Sequence, residues 1–178
     1  KKDQFEEISV NQGDNFAKIL RKGGLKGRDI DRLLINGKDI YDFSKIYLGD
    51  IVKVQSNYNT EDNLEKFKMI YRFSEDQELI VDYINKNFAY EIRQIELSEE
   101  RIFVSGEITT SLYEAMKKAG LSELIITEII RIYSFDVDFQ RDIYKGDYFE
   151  ALYTRRKNDQ GKTVQIEDPE YLVLSSRG

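Results

Sequence analysis

The chain has 178 residues, 40% hydrophobic and 34% charged, with a net charge of −6, no Cys and no His. That length allows one domain or two small ones with real cores, and the composition excludes disorder. The acidic balance argues against nucleic acid as the main partner, the lack of His removes His-dependent triads and the usual nitrogen ligands of zinc, and no apolar run is long enough for a membrane span.

The first stretch to read as structure is Ile8-Ser9-Val10, a short strand. Asn11-Gln12-Gly13-Asp14 is a turn, and Asp14 or Asn15 can cap the helix that follows. Phe16, Ile19 and Leu20 share one face of that helix at i, i+3, i+4. Gly23-Gly24 ends it, one glycine in the left-handed conformation. Asp29 opens a second helix with Ile30, Leu33 and Leu34 inward, Asn36-Gly37 breaks it, and Gly49-Asp50 turns into a strand through Val54. The polar run 57–63 reads as the boundary between a first module, residues 1–56, and a second, residues 57–178.

Beyond it the pattern is β-rich. Strands are expected around 64–73, 78–84, 88–95 and 101–108, joined by short connections as an antiparallel meander. Ser111, with Glu114 three residues on, reads as a capping box for a helix whose apolar face is Leu112, Ala115, Met116 and Ala119. Leu121-Ser122-Glu123 opens the next helix, with Leu124, Ile125, Ile129, Ile130 and Ile132 expected inside. Phe135, Val137, Phe139 and Ile143 are expected to pack the turn region. Tyr148–Tyr153 is a strand, 158–161 a hairpin loop and 171–175 a last strand. The fold class expected is α+β. The end at Ser176-Arg177-Gly178 reads as a truncation, and Lys1-Lys2-Asp3-Gln4 does not read as a signal peptide.

The chain also repeats itself. Phe16–Leu25 answers Leu112–Leu121, each an amphipathic helix stopping at Gly-Leu. Each is followed by a second helix and a Gly-Asp turn, with Gly24 to Gly49 spanning 25 residues and Gly120 to Gly146 spanning 26. Two related modules of this kind suit binding more than catalysis.

Three groups of residues invite chemistry. Asp136, Asp138, Asp142, Asp147 and Glu150 could hold Mg or Ca, or form a capped, salt-bridged turn beside Arg131 and Arg141; the spacing is not that of an EF-hand. The 12 Tyr and 10 Phe could stack on a sugar or peptide, or fill the core with the hydroxyls in water. Gly13-Asp14-Asn15-Phe16, a turn feeding a helix, could offer backbone N–H groups to ligand oxygens or be an ordinary cap. The basic residues Lys18, Arg21, Lys22, Lys26 and Arg28 read as a solvated helix face.

Val10–Val54, with Gly13-Asp14-Asn15-Phe16, Gly24-Leu25, Leu33-Leu34 and Leu48-Gly49-Asp50-Ile51-Val52-Lys53-Val54, resembles a LysM-like domain of the opacity-associated-protein type. Ala119-Gly120-Leu121, Ser134-Phe135-Asp136-Val137-Asp138-Phe139, Asp142-Ile143 and Lys145-Gly146-Asp147 resemble the region that precedes the catalytic domain in Gram-negative, lysostaphin-like zinc metallopeptidases. The resemblance implies a non-catalytic region that binds peptidoglycan in the periplasm or cell envelope and keeps its own catalytic domain closed. It implies zinc in that catalytic domain, on His motifs that this chain lacks, and no cofactor here. It places glycan contacts at Gly13, Asp14, Asn15, Asn36 and Gly37. The alternative is a stand-alone murein-binding or scaffold protein with no enzyme attached.

Overall fold

The computed structural model describes residues 4–139 and 141–175. The expectations for the two chain ends fall on residues 1–3 and 176–178 and lie outside that range. The element order is β1 (Glu6–Ser9), α1 (Phe16–Lys22), α2 (Gly27–Gly37), β2 (Ile51–Tyr58), β3 (Leu64–Arg72), β4 (Gln77–Ile84), β5 (Asn87–Gln94), β6 (Ser98–Glu107), α3 (Leu112–Lys118), α4 (Glu123–Tyr133), β7 (Tyr148–Lys157), β8 (Thr163–Ile166) and β9 (Tyr171–Ser175). The α+β class holds.

The chain forms two compact units, Lys1–Ile95 and Glu96–Gly178. The boundary expected after residue 56 is not there. β2 runs on to Tyr58 and pairs antiparallel with β3, Val52 opposite Tyr71 and Tyr58 opposite Leu64. The polar run is therefore the tip of a hairpin, where Asn59 Oδ1 accepts from the backbone N–H of Glu61 and Asn63 and Asp62 takes a left-handed φ of 70°. Hairpin tips and linkers share the same polar residues, so composition alone does not tell them apart. The meander expected for the second module, strands β3 to β5, belongs to the first unit, in a five-stranded sheet of order β1-β2-β3-β4-β5. The strand read at 101–108 is β6 of a separate sheet, where it pairs with β7, which β8 and β9 flank on its other side.

The repeat is real at the level of single hydrogen bonds. Asn15 and Ser111 cap α1 and α3 by accepting from Lys18 and Glu114 N–H. Both helices end in a Schellman motif: Leu25 donates to Leu20 and Gly24 to Arg21, Leu121 to Met116 and Gly120 to Lys117. Gly24 at φ 84° and Gly120 at φ 93° supply the left-handed residue the motif needs. The next helices, α2 and α4, are each 11 residues long. Then Gly49 donates to Val10 and Val10 to Asp50, while Gly146 donates to Ile108 and Ile108 to Asp147. Each unit thus contains a β-α-α-β loop closed back on its first strand.

Each loop packs its helices on one face of its own sheet. In the first unit Phe16, Ile19, Leu20, Leu25, Ile30 and Leu33 meet Val52, Val54, Phe67, Met69 and Tyr71. In the second, Leu112, Met116, Leu121, Ile125, Ile126 and Ile129 meet Phe149, Ala151 and Tyr153. Burying each such side chain is worth about 1.5–3 kcal/mol. Gly106 stands opposite Phe149, whose ring takes the space a Cβ would fill.

Several helix details differ from expectation. Lys26, not Asp29, sits at the N-terminus of α2, and Asp29 lies in its first turn, buried. Leu124 and Phe135, expected inside, are 70% and 92% exposed. Ser122 starts α4 directly, so the inward stripe falls on Ile125, Ile126 and Ile129 and turns Leu124 outward.

Two substitutions in the second copy test the repeat. Gly120→Ala, at a left-handed position with open space around it, is expected to cost about 1–2 kcal/mol from backbone strain alone. Leu121→Ala is expected to cost about 2–5 kcal/mol. Urea unfolding followed by circular dichroism measures both; unchanged midpoints would contradict the helix-ending motif.

Candidate functional site

The Gly13-Asp14-Asn15 turn is tightly self-bonded. Asn11 N–H donates to Asp14 Oδ2 at 2.9 Å, and Asp14 N–H donates to the Asn11 carbonyl at 3.0 Å. Gly13, at φ 79°, gives its carbonyl to Lys18 Nζ at 2.7 Å. Lys22 Nζ meets Asp14 at 2.7 Å and, with the Asn11 N–H, holds its carboxyl below the usual carboxylate range. Asn15 spends its side-chain oxygen on the cap. Gly13 and Asn15 are exposed and Asp14 half-buried. The Asp14 carboxylate, the Gly13 carbonyl and the Asn15 side-chain oxygen already have partners within the turn and its helix.

Asn36 and Gly37 are not a loop but the last residues of α2. Asn36 is exposed. Gly37 is buried, and a Cβ there would come within 2.4 Å of Tyr90 Cε1 and 2.9 Å of Phe43 Cε2. Gly37 is a packing glycine, so it offers no surface to a sugar.

A larger concavity, of about 800 Å³, opens at the start of α2. Its walls come from Arg28, Asp29 and Arg32 of the helix, 59–65 of the β2–β3 hairpin, and Tyr83, Asn85 and Lys86 at the β4–β5 turn. Asp29 anchors it. Its carboxylate accepts from Tyr58 Oη at 2.9 Å, with Arg32 Nη1 at 3.5 Å and Arg28 Nε at 3.6 Å. Tyr58 Oη accepts in turn from Lys26 N–H at 2.9 Å, and Lys26 Nζ lies 4.6 Å from the Tyr58 ring centre. Burial, more than the neighbouring carboxylate, pushes the Tyr58 hydroxyl up to about 12. Arg28 donates to the Asp62 carbonyl, and Arg32 to the Lys86 carbonyl at 3.0 Å, so both guanidinium groups bridge helix to strand turns.

Arg28 and Asp29 were visible in the sequence only as a basic helix face and a helix start. The groove itself needs the hairpin and the β4–β5 turn to fold against α2, and the hairpin had the look of a boundary.

The acidic string is a turn. Asp142 accepts from Asp138 N–H at 2.9 Å, Asp147 from Tyr144 N–H at 2.7 Å, and Arg141 approaches Asp138 at 3.7 Å. Among the described residues no group of three or more His, Cys, Asp or Glu could hold a metal ion. With no His or Cys anywhere in the chain, its residues do not fit a zinc site of the peptidase kind. No helix of the described residues is long and apolar enough to cross a membrane.

The fold is shared with part of two solved structures. A zinc-containing peptidase from Vibrio cholerae matches with a TM-score of 0.57 at 20% identity, over 97% of this chain and 52% of that one. Helicobacter pylori Csd3 matches with a TM-score of 0.55 at 17% identity, over 97% and 45%. In sequence, the chain is 26% identical over 154 residues to the peptidoglycan DD-endopeptidase ShyC of Vibrio cholerae, and 24% over 159 residues to ShyB of the same organism. These matches cover 86% and 89% of this chain but only 35% and 36% of the relatives. No family model matches. In sequence the chain is related to the two endopeptidases, as its Gly-Asp and Phe-Asp-Val-Asp-Phe motifs suggested, and it spans about a third of their length.

The Tyr58–Asp29 pair carries two expectations. Tyr58→Phe removes the neutral donor to a buried carboxylate and is expected to cost about 1–3 kcal/mol in urea unfolding; no loss would contradict the anchor. Tyr58 and Tyr90 are both lifted to about 12 by burial. A hydroxyl raised in the folded state stabilises fully below pH 10, and that stability is lost as pH climbs from 10 towards 12. Ultraviolet titration of tyrosinate should show these hydroxyls ionising late, with unfolding; ionisation of all tyrosines near pH 10 in the folded chain would contradict it.

Proposed function

We propose that this chain is the non-catalytic, peptidoglycan-binding region of a zinc endopeptidase that remodels the cell wall, acting in the periplasm or envelope. One observation carries the reading. Nearly the whole chain aligns with about a third of two peptidoglycan DD-endopeptidases, yet it has no His or Cys with which to build the zinc site that the resemblance implies. A segment with that relationship contributes binding or control, and the cutting residues lie in another part of the protein.

The repeated β-α-α-β loop, with its LysM-like sequence, supports binding to the glycan. Exposed Gly13, Asn15 and Asn36 and half-buried Asp14 remain the candidate contacts, while Gly37 serves packing. Control follows if the region prefers the closed form of its catalytic domain. A preference of about 3 kcal/mol holds about 99% of molecules closed.

Two measurements test this. The chain should co-sediment with purified sacculi, and Asp14→Ala should weaken that binding several-fold with little change in melting; failure of the wild-type chain to sediment would contradict the binding role. Added in trans at saturation, the chain should slow cleavage of muropeptides by the isolated catalytic domain. Unchanged turnover would remove the inhibitory role, and sacculus binding alone would then favour a murein-binding scaffold.

A further inference from the structure

We infer that the groove at the start of α2 takes the peptide of peptidoglycan rather than its sugar, by an amino-acid end bearing both an ammonium and a carboxylate. The inference rests on the murein-binding reading and adds a ligand group and a site to it.

Arg28 and Arg32 stand one helical turn apart on α2 and so face the same way. Their bonds to the Asp62 and Lys86 carbonyls and to Asp29 aim the two guanidinium groups without exhausting their N–H donors. A guanidinium held in this way suits a carboxylate through paired hydrogen bonds. The hairpin side brings Glu61 and Glu65, both exposed, which suit an ammonium. The charges of the lining balance: Arg28, Arg32 and Lys86 against Asp29, Glu61 and Glu65. A pure anion would meet the glutamates and a pure cation the arginines, whereas a zwitterion satisfies both walls.

The same lining disfavours a sugar. Carbohydrate recognition gains most from an open aromatic face, and the single ring among the lining residues, Tyr83, is tilted against Phe88 with centres 5.1 Å apart. A volume of about 800 Å³ matches a small polar ligand. The stem peptides of peptidoglycan present such groups, with ammonium and carboxylate on one amino-acid centre.

The test is a nuclear magnetic resonance titration of the whole chain with two probes: a sugar-free stem peptide, and a peptide-free N-acetylglucosamine oligomer. The peptide should shift the amides of Arg28, Arg32, Asn63 and Lys86 and weaken with added salt; the oligomer should leave them in place. Arg32→Gln should weaken peptide binding about tenfold. Because Arg32 also tethers the fold, Lys86→Asn serves as the second variant. It suits the left-handed backbone at that position, φ 64°, while removing the charge, and should weaken the peptide by a few-fold. A silent peptide, shifts caused by the oligomer, or undiminished binding in both variants would overturn the inference. Sacculus binding with a silent peptide overturns the groove alone. A wild-type chain that ignores sacculi overturns the murein reading, and the peptide titration then still judges the groove.

Discussion

In each repeat the glycine of the Gly-Asp turn donates to the carbonyl just past the first strand, and the residue there donates back to the aspartate carbonyl. This exchange, Gly49 and Asp50 with Val10, Gly146 and Asp147 with Ile108, turns an open run of two helices into a closed loop. The aspartate side chains brace the turn again, Asp50 accepting from Tyr47 N–H at 2.9 Å and Asp147 from Tyr144 N–H at 2.7 Å. In the first copy Asp50 also accepts from the buried Tyr71 hydroxyl at 2.5 Å, which ties the turn to β3. Without that closure the apolar faces of the helices would have no fixed sheet to cover, and a helix pair of 7 and 11 residues is too short to stand alone in water.

The two copies then diverge in what they build on the loop. The first adds β3, β4 and β5, and these strands bring the hairpin tip and the β4–β5 turn against the start of α2. Arg28 and Arg32 bind those turns through backbone carbonyls, and Asp29 is the buried counter-charge that keeps both guanidinium groups in register. The second copy carries Leu124 where the first has Arg28, and Ile125 where it has Asp29. Its concavity beside the start of α4, about 380 Å³ and lined by Leu124, Ile125 and Ile166 among others, is more apolar and has Arg155 as its single charged lining residue. One scaffold thus offers two surfaces of different chemistry.

The closed loop was legible in the sequence because it depends on residues with few substitutes. Gly24 and Gly120 adopt backbone angles that other residues avoid, and Asn15 and Ser111 are cap formers, so both copies announced themselves. The likeness to peptidoglycan endopeptidases was legible too, through the Gly-Asp turns and the acidic-aromatic stretch before the second. The groove was not, because it depends on which strand tips meet α2, and residues 57–63 have the composition of either a linker or a hairpin. Gly37 misled in the opposite sense: α2 does end there, but the missing side chain makes room for Tyr90 rather than for a ligand. Leu124 and Phe135 show that an apolar residue beside a core stripe need not belong to it.

On the proposed reading, this chain grips murein and the chemistry is done in another part of the protein. The most direct measurement is to incubate the pure chain with sacculi and added zinc and to analyse the soluble fraction by chromatography. The account predicts that no muropeptides are released. Released fragments that grow with time and chain concentration would contradict it.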